Sequence, residues 1–218
     1  MASANLDSIF LFGDSLTERG WQPGAFVQRL AINYARKFDV VNRGMGGYNT
    51  RWALPCLEQL LIPRTAQETG KHPVMRMLFI WFGCNDASLP PLPFHVPLAE
   101  YRSNLKKMIR MVTSDSSPYY SPETKVLLLT PPPLNTTQWG ATPKPYDSLL
   151  EFDRTFETTK AYAEAVKEVA KEEGVLLVDI WQAIWDKSGK NEEGLTGYLS
   201  DGLHFLPAGY EVSLSLSS

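Results

Sequence analysis

The chain has 218 residues, 44% of them hydrophobic and 21% charged, and carries a formal net charge of −3 at pH 7. That length can bury one sizeable core, so a single domain over residues 1–218 is expected, and the composition excludes a disordered or fibrous chain. The slight acidity leaves no basic stripe for a phosphate backbone, and no apolar run approaches the roughly 20 residues of a spanning helix, so neither nucleic acid nor a membrane span is expected.

Residues 8–12 read as a short buried strand, followed by a helix over 25–38 with Phe26, Leu30, Tyr34 and Phe38 on one face. Residues 40–42 form a second strand. A turn holding Gly44, Gly46 and Gly47 leads to a helix over 51–61 and then to an apolar strand over 77–82. Pro90, Pro91, Pro93 and Pro97 forbid regular structure until a helix over 98–113. The fourth strand, 125–130, stops at Pro131-Pro132-Pro133, and segment 131–150 reads as a functional loop rather than a domain boundary. The next helix carries Phe152, Phe156, Thr159, Ala163, Val166 and Ala170 at three- and four-residue spacing, with Gly174 as its stop. Residues 175–179 supply the fifth strand, and Trp181 and Trp185, four apart, mark a core-facing helical stripe. Nearly continuous apolar strands alternating with helices indicate an α/β fold, a five-stranded parallel sheet covered by helices on both faces.

Cys56 and Cys84 stand in no ligand or redox spacing, and His72, His95 and His204 form no pair four residues apart, so neither a disulfide nor a metal site is expected. Residues 1–7 lack the charged and apolar regions of a secretory leader, which points to a cytoplasmic protein in which the sequon at Asn135 is idle.

Ligands of a parallel sheet sit beyond the carboxyl ends of its strands. After the first strand comes Gly13-Asp14-Ser15-Leu16, after the second Gly44-Met45-Gly46-Gly47-Tyr48, after the third Gly83-Cys84-Asn85-Asp86, and beyond the fifth Asp201-Gly202-Leu203-His204. A serine hydroxyl needs a base to take its proton, and histidine is the natural one near neutrality. His204 fills that role, with Asp201 three residues earlier in reach of its Nδ1 side, leaving Nε2 for Ser15. The backbone N–H groups of Ser15 and Gly47 and the carboxamide of Asn85 are candidate donors to a tetrahedral oxyanion. Each signal alone also fits ordinary turn chemistry, and Asp201 with His204 also fits a helix-capping turn. Their joint order at one sheet edge favours catalysis.

These blocks resemble those of the SGNH (GDSL) hydrolases, named for a serine, glycine, asparagine and histidine. Ser15 in Phe12-Gly-Asp-Ser-Leu-Thr-Glu matches the family nucleophile, Gly47 and Asn85 match the second- and third-block residues, and Asp201 and His204 match the fifth block. The string Gly47-Tyr-Asn-Thr-Arg-Trp-Ala-Leu and Pro131-Pro-Pro look like the isoamyl acetate-hydrolysing esterase branch. The resemblance implies a flavodoxin-like three-layer α/β/α fold, hydrolysis of small acetate or short-chain esters through an acyl-enzyme, and no cofactor. A thioesterase, a lysophospholipase or a sugar-acetate deacetylase would use the same triad. A non-catalytic module holding a small anion is the remaining alternative, and it gives no reason for Asp201 and His204.

Tyr48, Asp86 and Phe205 are expected at the strand-end rim as substrate contacts, with Trp21 and Trp139 as weaker candidates for which plain packing is the competing reading. Asp14 is expected to brace the nucleophile turn. The branch continues into a terminal helix where this sequence runs Glu211-Val-Ser-Leu-Ser-Leu-Ser-Ser, so a shortened C-terminal helix, an exposed apolar patch and possible homo-oligomers are expected.

Overall fold

Strand residues one apart point to opposite faces, so an apolar run in a parallel sheet feeds two cores at once. The computed structural model describes residues 6–143 and 152–215. They form a parallel sheet of β1 (Ser8–Gly13), β2 (Asp39–Gly44), β3 (Met75–Trp81), β4 (Lys125–Leu129) and β5 (Leu176–Val178), in the order β2-β1-β3-β4-β5. The helices in chain order are α1 (Ser15–Glu18), α2 (Phe26–Asn33), α3 (Thr50–Leu60), α4 (Arg64–Gln67), α5 (Leu98–Thr113), α6 (Thr136–Ala141), α7 (Phe156–Glu173), α8 (Ile180–Lys187) and α9 (Pro207–Ser215). Ile9, Leu11, Phe79, Trp81, Leu127 and Leu129 face a core shared with α2, α8 and α9. Phe12, Leu78, Ile80, Val126 and Leu128 face the core under α3, α5 and α7. The three-layer α/β/α expectation and its five strands hold, in the flavodoxin-like strand order.

The short helices α1, α4 and α6 were not read from the sequence, and the elements that were read differ mainly at their ends. α2 stops at Asn33 rather than at 38, because Arg36 takes φ 68° and the chain turns toward β2, although Tyr34 and Phe38 still pack ring to ring at 5.7 Å. α7 starts after Phe152, where Thr155 and Thr158 cap each other, and it ends at Gly174 as the pattern predicted. α6 lies inside the proline-led loop, of which residues 144–150 lie outside the described part. At the C-terminal end a nine-residue helix does form. α9 buries Tyr210 and Val212, and the Tyr210 hydroxyl donates to the Leu16 carbonyl at 3.0 Å. No helix among the described residues is long and apolar enough to cross a membrane.

The end of β2 and the short helix α1 touch through their backbones. A Cβ on Gly44 would sit 2.0 Å from the Glu18 nitrogen and 2.4 Å from its Cα, so only glycine permits this approach. Gly44→Ala is expected to cost about 1–3 kcal/mol through overpacking, read as a lower urea midpoint. An unchanged midpoint would mean that α1 moves freely away from β2.

Candidate active site

The first strand ends at Gly13, and Asp14 makes the turn. Its N–H donates to the Trp81 carbonyl at 3.2 Å, and its carboxylate caps α1 by accepting the Leu16 N–H at 2.9 Å. Ser15 thereby becomes the first residue of a helical turn at the sheet edge. Its hydroxyl lies 2.9 Å from His204 Nε2, and His204 Nδ1 lies 2.7 Å from Asp201 Oδ2. A carboxylate beside Nδ1 selects the tautomer protonated there, which leaves the Nε2 lone pair to accept from the Ser15 hydroxyl.

Asp201 also holds the backbone of its own turn, since Oδ1 accepts the N–H groups of Leu203 at 3.0 Å and His204 at 2.8 Å. The turn is anchored from the β4 side. Asn135 N–H donates to the Gly202 carbonyl at 3.0 Å, and the Thr142 hydroxyl donates to the Asp201 carbonyl at 3.1 Å.

The predicted donors border the same cleft, a cavity of about 460 Å³ that Ser15, Gly47, Asn85 and His204 all line. Gly47 sits at φ 78°, a left-handed conformation that a side chain would strain. Asn85 donates through Nδ2 to the Tyr48 carbonyl at 2.8 Å, tying the turn after β3 to the turn after β2. That bond uses one of its two N–H groups. The arrangement thus offers a hydroxyl with a hydrogen-bonded base, and three candidate N–H donors from three strand ends.

The rim expectations need correction. Asp86 is fully buried and outside the cleft lining, its Oδ1 accepting both the N–H and the hydroxyl of Thr50 at 2.9 and 2.5 Å, so it braces the start of α3. Phe205 is buried too, packed on Trp81 at 5.9 Å and Tyr210 at 5.1 Å between ring centroids. Tyr48 stays outside the cleft lining, half-exposed, with its ring edge-on to Trp52. Trp21 is exposed and also outside the lining, whereas Trp139 is part of it and packs 6.2 Å from the His204 ring. Alternation along a strand end does not tell rim from core once the chain leaves the ladder.

Phe94 and Arg154 are among the lining residues that escaped the sequence reading. Arg154 follows Asp153 just ahead of the α7 cap, where an arginine ordinarily reads as solvated, yet it is only 3% exposed. Its Nε donates to the Cys84 carbonyl at 2.8 Å, Nη1 to Asp153 at 3.1 Å and Nη2 to Asn85 Oδ1 at 3.1 Å.

Comparison with known proteins adds an independent line. Residues 11–212 match the model of the GDSL-like Lipase/Acylhydrolase family. The isoamyl acetate-hydrolyzing esterase 1 homolog of Homo sapiens is 35% identical over 209 residues, covering 95% of this chain and 78% of that protein. A GDSL esterase/lipase of Arabidopsis thaliana is 35% identical over 210 residues, covering 94% and 81%. Among solved structures, the lipase/acylhydrolase from Enterococcus faecalis superposes with a TM-score of 0.67 at 26% identity, covering 97% of this chain and 93% of that one.

Charge around the cleft is unevenly tuned. Burial pushes Asp201 upward, but the hydrogen bonds from the His204 ring and from the backbone N–H groups outweigh it and hold the carboxyl at about 2. Asp14 and Asp86 behave oppositely. Burial pushes each up to about 7 against the bonds from Leu16 and Thr50, and Oδ2 of each is buried without a hydrogen-bond partner among the described residues. A carboxyl depressed on folding stabilises the fold above its ordinary value of 3.8, an effect lost as pH falls toward 2. A carboxyl raised on folding favours the fold below that value, and this is lost as pH rises from 3.8 to about 7, because the unfolded chain releases its proton first. The urea-derived stability is therefore expected to fall between about pH 5 and pH 7, and Asp14→Asn is expected to flatten that slope. Equal slopes in the two proteins would show that Asp14 is already ionised at the lower pH.

Proposed function

The chain belongs to the GDSL-like lipase/acylhydrolase family and is a hydrolase of ester bonds, and from that premise we propose that Ser15, His204 and Asp201 cleave small acetate or short-chain esters through an acyl-enzyme. One observation carries the reading. The Ser15 hydroxyl meets His204 Nε2 at 2.9 Å while Asp201 holds the opposite ring nitrogen at 2.7 Å.

The chemistry follows from those contacts. As Ser15 Oγ attacks the ester carbonyl carbon, its proton passes to Nε2, and the imidazolium that forms is stabilised by the ionised Asp201. The carbonyl oxygen becomes an oxyanion within reach of the N–H groups of Ser15 and Gly47 and of Asn85 Nδ2, which border the same cleft. Each such donor contributes about 3 kcal/mol to the transition state. Collapse of the adduct breaks the bond to the alcohol oxygen, which takes the proton from Nε2 and departs. Water then attacks the Ser15 ester as His204 Nε2 takes its proton, and collapse breaks the acyl–Oγ bond, Ser15 Oγ taking that proton back as the carboxylic acid leaves. A small ester as substrate is supported by relatives named as homologs of isoamyl acetate-hydrolyzing esterase 1, and the Trp139, Phe94 and Leu203 walls give its carbon skeleton apolar surface.

A panel of p-nitrophenyl esters from C2 to C12 tests both parts of the proposal. An optimum at C2 to C4 is expected, and an optimum at C8 or above would move the substrate to lipids. Ser15→Ala is expected to lower kcat/KM by more than about a hundredfold, with loss of labelling by a fluorophosphonate at that residue. A smaller loss would remove Ser15 as the nucleophile.

A further inference from the structure

A carboxamide is nearly symmetric in shape, so packing alone does not decide which end of Asn85 carries the oxygen. Its partners decide. Toward one end the Tyr48 carbonyl can only accept, at 2.8 Å, and toward the other Arg154 Nη2 can only donate, at 3.1 Å. Flipping the amide would set its NH2 against the guanidinium and its oxygen against the Tyr48 carbonyl. Both contacts would turn repulsive, and the group would present a lone pair where an oxyanion is to form.

Arg154 is itself held with little freedom. The Cys84 carbonyl and Asp153 take two further donors, at 2.8 and 3.1 Å, and the guanidinium lies 5.1 Å from the Trp139 ring centre and 6.0 Å from that of Phe94. Asp153 is fixed in turn by the Trp139 indole N–H at 2.5 Å. A cation kept almost fully out of water is costly unless every neighbour is arranged for it. This one reaches the backbone and side chain of two consecutive residues, Cys84 and Asn85, in the turn after β3. Donation to Oδ1 also draws charge out of the carboxamide and makes its remaining N–H a better donor.

We propose that Arg154 is a positioning residue that locks the Asn85 carboxamide with its N–H toward the cleft, and so sets the strength of the third oxyanion donor. The inference rests on the ester-hydrolysis reading above, and it concerns kcat rather than binding, since the bound ester carries no oxyanion and one forms only as the reaction proceeds.

A double-mutant cycle on p-nitrophenyl acetate tests it, with Arg154→Lys, Asn85→Ala and their combination, all checked for folding by thermal melts. Lysine keeps the charge and loses the fork that spans Cys84 and Asn85. Asn85→Ala is expected to lower kcat by about 10²–10³. Arg154→Lys is expected to lower it roughly 10- to 100-fold with KM within about threefold, and to lower it less than about threefold once Asn85 is alanine. Should Arg154→Lys not fold, the pair Asp153→Asn with Arg154→Gln removes both buried charges together and enters the same cycle. The same fold loss in both backgrounds would make Arg154 merely structural and overturn the proposal. A rise in KM at unchanged kcat would overturn it in favour of a substrate contact. Wild-type rates in Asn85→Ala beside a dead Ser15→Ala would also overturn it, while leaving the nucleophile assignment intact.

Discussion

Parallel strands all release the chain at one edge of the sheet, and that constraint delivers most of the proposed site. Ser15 follows β1, Gly47 lies in the turn after β2, and Asn85 follows β3. The order β2-β1-β3 makes these three turns neighbours in space. Short cross-links then set their spacing. Asp14 N–H bonds to the Trp81 carbonyl, Met45 N–H to the Gly13 carbonyl and Asn85 Nδ2 to the Tyr48 carbonyl. Each is worth only about 1 kcal/mol net, so their main effect is to hold donors and nucleophile in one geometry.

The proposed base arrives differently. His204 lies 189 residues from Ser15 and stands on no strand of the sheet. Its turn is held by Asp201 from within, by Asn135 and Thr142 from the β4 side, and by the bridge between Leu199 and Phe205 at its base. α9 then runs back under α1, where the Tyr210 hydroxyl meets the Leu16 carbonyl. The C-terminal segment therefore supports the proposed nucleophile and the proposed base together, and Phe205 and Tyr210 act as packing that joins them.

The charges in and behind the cleft are arranged in depth. Asp14 and Asp86 are buried and pushed toward neutrality, Asp201 is kept ionised, and Arg154 is the buried cation beside the carboxamide of Asn85. An ionised Asp14 beside Ser15 in the chain would oppose an oxyanion forming there, and burial shifts this acid toward its neutral form. The same burial makes both acids a liability for stability as pH rises.

Much of this was legible in order along the chain. Short apolar runs placed all five strands and helical spacing the long helices, and serine, aspartate and histidine in their turns pointed to a hydroxyl with a relayed base. Helix ends were read less well, because a single left-handed residue such as Arg36 stops a helix that its apolar spacing would continue. Asp86, Phe205 and Arg154 were out of reach of such reading. Periodicity and turn chemistry are properties of neighbours along the chain, so the sequence alone determined the α/β fold and the residue types at the sheet edge. Burial and hydrogen bonds between distant segments are properties of neighbours in space. Only the tertiary structure could turn Asp86 and Phe205 inward, bring Arg154 against Asn85 and close His204 onto Ser15.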